Sequence, residues 1–296
     1  MLFIQVVLPV FVIIASGFVL EKCARLDFRT LTLTSLYLLA PALVFSALMK
    51  REFDLSLAGN LFLFMMLYTA ILYALSRGLA ALLGLDGESR SALLLTTVMM
   101  NVGNFGLPLT YFAFGEAALE ISVLTFVLFN IPLGTLAIVI AQGSRSSLPT
   151  ALANMGKIPI FHGVILAFFF KWIGWTPPDF ILRPLDLLGQ AAIPLMLAML
   201  GMQLARTQWQ ARVGFFSLAT AVRLGVAPLI AWGLTALLGI DGLTRAVVIL
   251  QTSTPSAVLP LLYSLRFGGR ADLVAGTILM TTLFSAVTLT ILLYLL

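Results

Sequence analysis

Ala81-Leu-Leu-Gly-Leu-Asp-Gly-Glu-Ser-Arg90 recurs as Ala236-Leu-Leu-Gly-Ile-Asp-Gly-Leu-Thr-Arg245, 155 residues further on and with seven of ten positions identical. Apolar helices resemble one another by chance, but the shared Gly-x-Asp-Gly-x-x-Arg is the part that is not apolar. Further along, Leu107-Pro-Leu and Phe114-Gly115 answer to Leu259-Pro-Leu and Phe267-Gly268, and Pro41 answers to Pro194. The chain reads as one ancestral unit written twice.

What that unit is follows from composition. Of 296 residues, 61% are hydrophobic and 10% charged, against roughly a quarter charged in a soluble domain. This excludes a soluble enzyme, a nucleic-acid binder and a disordered chain. Ten apolar stretches of about 18 to 28 residues can be marked, and a membrane span needs about 20. They lie near 2–20, 31–49, 57–83, 90–114 and 118–141, then 158–175, 181–204, 213–239, 244–267 and 271–295. The first stretch lacks a basic leader and reads as a retained span. The expected fold is therefore an all-α polytopic membrane protein of two five-helix repeats, 1–143 and 157–296, joined by a short cytoplasmic connection, 144–156.

Five is odd, so the second copy enters the bilayer from the opposite side, the inverted arrangement on which many secondary carriers are built. Lys and Arg number eleven on the side of the loops after the first, third, fifth, seventh and ninth spans, and five on the other. The positive-inside bias puts the first set in the cytoplasm and both termini outside.

The fourth span is interrupted near its middle by Asn101-Val-Gly-Asn-Phe-Gly-Leu-Pro108. Pro108 cannot donate to the carbonyl of Asn104, and Gly103 and Gly106 permit non-helical dihedrals. The expectation is a helix ending near Val102, an unwound stretch, and a half-helix carrying Pro108 in its first turn. The ninth span, its repeat partner, carries Gln251-Thr-Ser-Thr-Pro-Ser-Ala-Val-Leu-Pro260, with Pro255 and Pro260 as the breakers. Proline kinks in ordinary spans are the alternative. However, freed backbone groups in hydrocarbon cost several kcal/mol each, so two breaks at repeat-related depths imply a shared polar place inside the protein.

Half-helices starting near Leu107 and Leu259 would present unpaired N–H groups and positive dipole ends, which suit an anion. Around them Asn101, Asn104, Thr252, Ser253, Thr254 and Ser256 offer neutral donors and acceptors. With Gly103, Gly106, Pro108, Pro255 and Pro260 they form the candidate substrate site. The freed carbonyls would suit a cation instead, and the residues leave that choice open. Asn130, Gln251, Thr281, Thr282 and Ser285 are candidates to line the path, with helix-to-helix hydrogen bonding as the alternative.

All twelve acids fall in loops or at helix ends, and Cys23 and His162 are single. No metal site, cofactor or catalytic set is expected. His162 reads as an interfacial histidine. Arg223, about ten residues into its span, reads as snorkelling or meeting carbonyls rather than holding substrate.

At these motifs the chain resembles the auxin efflux carrier family in its short prokaryotic form. The resemblance rests on Asn101-Val-Gly-Asn-Phe-Gly-Leu-Pro-Leu, the proline-bearing ninth span, and Lys157-Ile-Pro…Ala192-Ile-Pro194-Leu…Leu200-Gly-Met-Gln203. It implies a ten-helix inverted repeat similar to that of bile acid:sodium symporters, with helices 4 and 9 discontinuous and crossing at the midplane. It also implies transport of an organic anion, a dicarboxylate such as malate or malonate or an auxin-like aromatic acid, by an elevator-type movement in a bacterial inner membrane. Partners are then the small anion and the bilayer, with a homodimer as the assembly. The long cytoplasmic loop of the plant members is absent. No acidic residue lies in the ninth span to hold sodium, so efflux by uniport is the leading expectation. A sodium- or proton-coupled symporter and a non-transporting sensor are the rivals.

Overall fold

The computed structural model describes residues 2–50, 55–142, 158–207 and 212–296. The expected connection over 144–156, and Arg51, Arg145 and Lys157 among the residues counted for orientation, lie outside them. The described chain is helical: α1 (Phe3–Ala24), α2 (Phe28–Met49), α3 (Ser56–Leu82), α4 (Gly87–Val98), α5 (Leu107–Phe114), α6 (Glu116–Gln142), α7 (Pro159–Trp172), α8 (Asp179–Arg206), α9 (Val213–Leu237), α10 (Gly242–Thr252), α11 (Leu259–Phe267) and α12 (Ala271–Leu295).

Seven of these, α1, α2, α3, α6, α8, α9 and α12, are long and apolar enough to cross a membrane. The expected sixth span is the shorter α7, of 14 residues. The expected fourth and ninth spans are each two short helices, α4 with α5 and α10 with α11.

Proline shapes the long helices without ending them. Pro9, Pro41 and Pro228 each follow a widened turn whose last N–H reaches back five residues: Leu8 to the Phe3 carbonyl, Ala40 to Ser35, and Ala227 to Val222. Proline has no N–H to give, and its ring crowds the carbonyl four residues back. One extra residue in the turn moves that carbonyl aside.

The helices sort by contact into two groups. α1 packs along α8, while α2 packs against both α7 and α8. α3 packs on α4, α6 and α9; α10 packs on α6 and α9; and α12 packs on α4, α9 and α11. In the first group the backbones touch. A Cβ on Gly201 would stand 1.9 Å from the Ile14 carbonyl oxygen, and one on Gly17 would stand 2.0 Å from that of Ala198. In lipid no hydrophobic force drives helices together, so such close approach between small residues supplies the attraction.

The ends of this group are tied by charge. Arg206 bonds Glu21 at 2.8 Å where α8 and α1 finish, and Lys50 lies 2.7 Å from Asp186 where α2 finishes. In the second group Asp86 caps α4, accepting from the Ser89 N–H at 2.8 Å and its hydroxyl at 3.0 Å. Those bonds hold its carboxyl below the usual carboxylate range.

Gly201→Ala drives a methyl into the α1 backbone and should destabilise the protein by about 1–3 kcal/mol or more, read as a lower thermal midpoint in detergent. Gly59→Ala, whose added Cβ meets nothing within 4 Å, should leave the midpoint unchanged.

Candidate functional site

The two breaks cross and satisfy each other. Met99 leaves α4 in extended conformation (φ −90°, ψ 104°), and Met100 pairs antiparallel with Ser256. The Asn101 N–H donates to the Pro255 carbonyl at 2.8 Å, and the Ala257 N–H donates to the Met99 carbonyl at 2.8 Å. This is a single isolated β-bridge among helices, and all of Met99, Met100, Asn101, Pro255, Ser256 and Ala257 are buried.

The first break lies earlier than the sequence suggests. α4 ends at Val98, only Met99–Asn101 are unwound, and Val102–Gly106 is already helical, as a widened turn leading into α5. Gly103 and Gly106 are therefore not needed for unusual dihedrals. A Cβ on Gly106 would sit 2.8 Å from Cγ of Gln251, and one on Gly103 would sit 2.7 Å from the Phe126 ring. Both are glycine because neighbouring elements press on them. The second break falls where expected, between Thr252 and Leu259. Pro108 and Pro260 stand in the first turns of α5 and α11.

Side chains lock the crossing. Gln251 donates from Nε2 to the carbonyls of Val102 at 3.2 Å and Ser122 at 2.9 Å. The Ser256 hydroxyl donates to the Thr96 carbonyl at 2.6 Å, and its N–H donates to the Thr281 hydroxyl at 3.2 Å. Thr252, Ser253 and Thr254 turn their hydroxyls back onto the carbonyls of Val248, Ile249 and Gln251. Thr281 bonds Thr277, Thr282 bonds Ile278, and Ser285 bonds Thr282 in the same way.

A cavity of about 310 Å³ opens on one side of the crossing. Its floor is Met100–Asn104 and Ala257–Leu259, its walls are Asn130 and Phe126 of α6 with Tyr263 of α11, and its far side is Thr32, Ser35, Met196 and Met199 of α2 and α8. Among the described residues its lining carries no charged side chain. Asn101 is 5% exposed, and its amide Nδ2 has no hydrogen-bond partner. Beside it the N-terminus of the Val102–Gly106 turn has no side-chain cap.

Of the candidate residues, the structure thus brings Asn101, Gly103, Asn104 and Asn130 to the cavity. Gly106, Pro108, Gln251, Thr252, Ser253, Thr254, Pro255, Ser256, Pro260, Thr281 and Ser285 are not in its lining; Gln251, Thr252, Pro255, Ser256 and Thr281 hold the crossing together. Tyr263, Thr32 and Ser35 line it without any motif having marked them. A second cavity of about 280 Å³ lies toward the other ends of α2 and α8, lined by Ser46, Lys50, Tyr111, Glu116, Asp186 and Gln190.

Arg223 meets carbonyls, as its place in the sequence suggests, and is fully buried. Its Nη1 donates to the Thr97 carbonyl at 2.9 Å, and its Nη2 donates to the Tyr68 hydroxyl at 2.8 Å and to the Thr252 carbonyl. Tyr68 in turn donates to the Thr252 carbonyl at 2.8 Å. Tyr68 and Arg223 are 155 residues apart, as are Thr97 and Thr252. That is the repeat offset, and it would have marked the four as one cluster. His162 is exposed near the start of α7.

A family model described as membrane transport protein matches residues 144–293. The chain belongs to that family. Transport, not enzyme catalysis, is its business, and it is an integral membrane protein of several apolar helices. An uncharacterized transporter of Methanothermobacter thermautotrophicus is 29% identical over 296 residues, covering 96% of this chain and 95% of its own. Another, of Methanocaldococcus jannaschii, is 29% identical over 262 residues, covering 84% and 83%. A Rhizobium meliloti protein named "Putative malonate transporter" is 28% identical over 277 residues, covering 88% and 84%.

The transporter depends on Gln251 to hold the two breaks in register. Gln251→Leu removes two buried hydrogen bonds to carbonyls that keep their helical donors, and should lower stability by about 1–3 kcal/mol at roughly 0.5–1.5 kcal/mol per bond, measured by thermal unfolding in detergent.

Proposed function

We propose that the transporter is a secondary carrier of organic anions of the dicarboxylate class, malonate and malate foremost, working by uniport in the export direction. The observation that carries this reading is a neutral cavity lined by Asn101, whose buried amide has no partner, beside an uncapped helical N-terminus. An N–H donor and a positive dipole end together favour a carboxylate. With no fixed cation in the lining, the anion is held and can be released. The name of the Rhizobium meliloti relative points to the same class.

The finer architecture we propose is ten crossings in two inverted units, 1–143 and 157–296, with 144–156 cytoplasmic, both termini periplasmic, and the bacterial inner membrane as the site. The pairings support it, since they recur when the halves are exchanged: α1 on α8 as α7 on α2, α3 on α4 as α9 on α10, α5 on α6 as α11 on α12, and α6 on α10 as α12 on α4. The group α1, α2, α7 and α8 would stand still while the remainder slides along it as an elevator. The two cavities, toward opposite ends of α2 and α8, fit a substrate site exposed first to one side and then to the other.

An inside-negative potential favours anion export by about 2.3 kcal/mol per charge at about 100 mV, a concentration ratio of roughly fiftyfold. No coupling ion is then required for export. Counterflow of labelled malonate and malate in proteoliposomes should be saturable and voltage-sensitive, and ligand binding without counterflow would make the chain a sensor instead. Asn101→Ala removes a hydrogen bond to a charged group and should raise the half-saturating concentration about ten- to a hundredfold, with the protein still inserted and monodisperse. Unchanged kinetics in Asn101→Ala would remove the proposed site.

A further inference from the structure

The guanidinium of Arg223 lies among neutral groups. The ion pairs of Lys50 with Asp186, Arg183 with Asp179, Arg206 with Glu21 and Arg270 with Asp272 sit toward helix ends. Arg223 instead donates to the Thr97 carbonyl, one residue before the end of α4, and to the Thr252 carbonyl, the last residue of α10. Each helix C-terminus carries roughly half a negative elementary charge on its unpaired carbonyls. Two such ends, repeat-related, converge on one buried point, and together they call for about one positive charge.

In carriers built on broken helices, that combination of half-helix C-termini and unwound carbonyls is where a coupling Na⁺ or H⁺ is held. Here the place is occupied by a side chain. Arg223 comes from a widened turn of α9, Ala221–Val226, which presents its guanidinium to both half-helix ends at once. The repeat-related position on α3 holds Tyr68, which completes the site by accepting from Arg223 and donating to Thr252. A second arginine there would put two cations side by side, so a symmetric pair of positions carries an asymmetric pair of residues.

We infer that Arg223 is a resident cation standing where a coupling ion would bind, so that the crossing keeps its shape and the transporter completes its cycle without sodium. The inference rests on the carrier reading above and deepens it. A charge fixed to the moving part travels out loaded and back empty, so it adds nothing to the net charge moved per cycle, and the voltage dependence reports the substrate alone. Arg223 touches no cavity-lining side chain among its hydrogen-bond partners, and it acts as a positioning residue.

The test compares wild type, Arg223→Ala and Arg223→Lys, each purified and reconstituted, in choline, sodium and millimolar guanidinium chloride. Wild-type counterflow of malonate should be the same in choline and sodium. Arg223→Ala should lose about tenfold or more in choline, as expected when charge-assisted bonds to two buried carbonyls are removed, and should recover several-fold in guanidinium or sodium. The thermal midpoint of the same variant should rise with guanidinium at concentrations that leave wild type unmoved, a readout that needs no substrate. Sodium-dependent wild-type counterflow, or an Arg223→Ala protein that is fully active in choline or inactive in every salt, overturns the inference and leaves the carrier reading standing. Absence of wild-type counterflow with any dicarboxylate removes the carrier reading, while the guanidinium-dependent midpoint still decides whether the place is a cation site. If Arg223→Ala does not fold, Arg223→Lys decides. It keeps the charge and loses the fork, so counterflow in choline supports the inference, and counterflow only in sodium overturns it.

Discussion

Everything in this fold answers to the cost of an unpaired backbone dipole in hydrocarbon. Two helices are interrupted at depth, which would leave several peptide groups without partners at several kcal/mol each. The breaks survive because they are laid across one another. Asn101 donates to Pro255 and Ala257 to Met99, while the carbonyls of Thr96, Thr97, Val102 and Thr252 are taken by Ser256, Arg223, Gln251 and Tyr68. The crossing is thus a single hydrogen-bonded object assembled from both halves of the chain, and neither half could form it alone.

That object has polarity. Helix C-termini converge on the Arg223 side, while Asn101 and the Val102–Asn104 part of the uncapped turn belong to the cavity lining. In the proposed reading a permanent cation on one side offsets the negative ends, and the positive end on the other is left for a solute. The polar side chains of the ninth span outside the lining are already bonded: Gln251 and Ser256 bond across to the first half of the chain, while Thr252, Ser253 and Thr254 bond carbonyls of their own segment.

The surrounding helices do a different job. Gly17 and Gly201 let α1 and α8 meet backbone to backbone, giving a stiff pair with ion pairs tying the group's ends, while the cavities lie along α2 and α8 where this group faces the crossing. A stiff wall beside a separately bonded unit is the mechanical requirement for sliding without unfolding. For the proposed elevator movement, close contacts within each group are what would let one slide against the other without bending inside either.

Sequence alone determined the membrane class, the likeness between the two halves of the chain, the interruption of the fourth and ninth apolar stretches, and the resemblance to auxin efflux carriers. All of these are written in local composition, in proline chemistry, or in self-similarity at an offset of 155. For Arg223, about ten residues into an apolar span, the sequence left snorkelling and meeting carbonyls open, and the fold chose the carbonyls. What only the tertiary structure decided depends on approach between distant segments. It set the helix end four residues earlier than the sequence suggests, at Val98 instead of Val102, because Gly103 and Gly106 answer to the pressure of Phe126 and Gln251 rather than to their own dihedrals. It also chose which hydroxyls and amides stay open, since Ser256 or Asn101 can equally be donor to a solute or to a neighbouring carbonyl. Which of these occurs is settled by what the fold places within three ångströms.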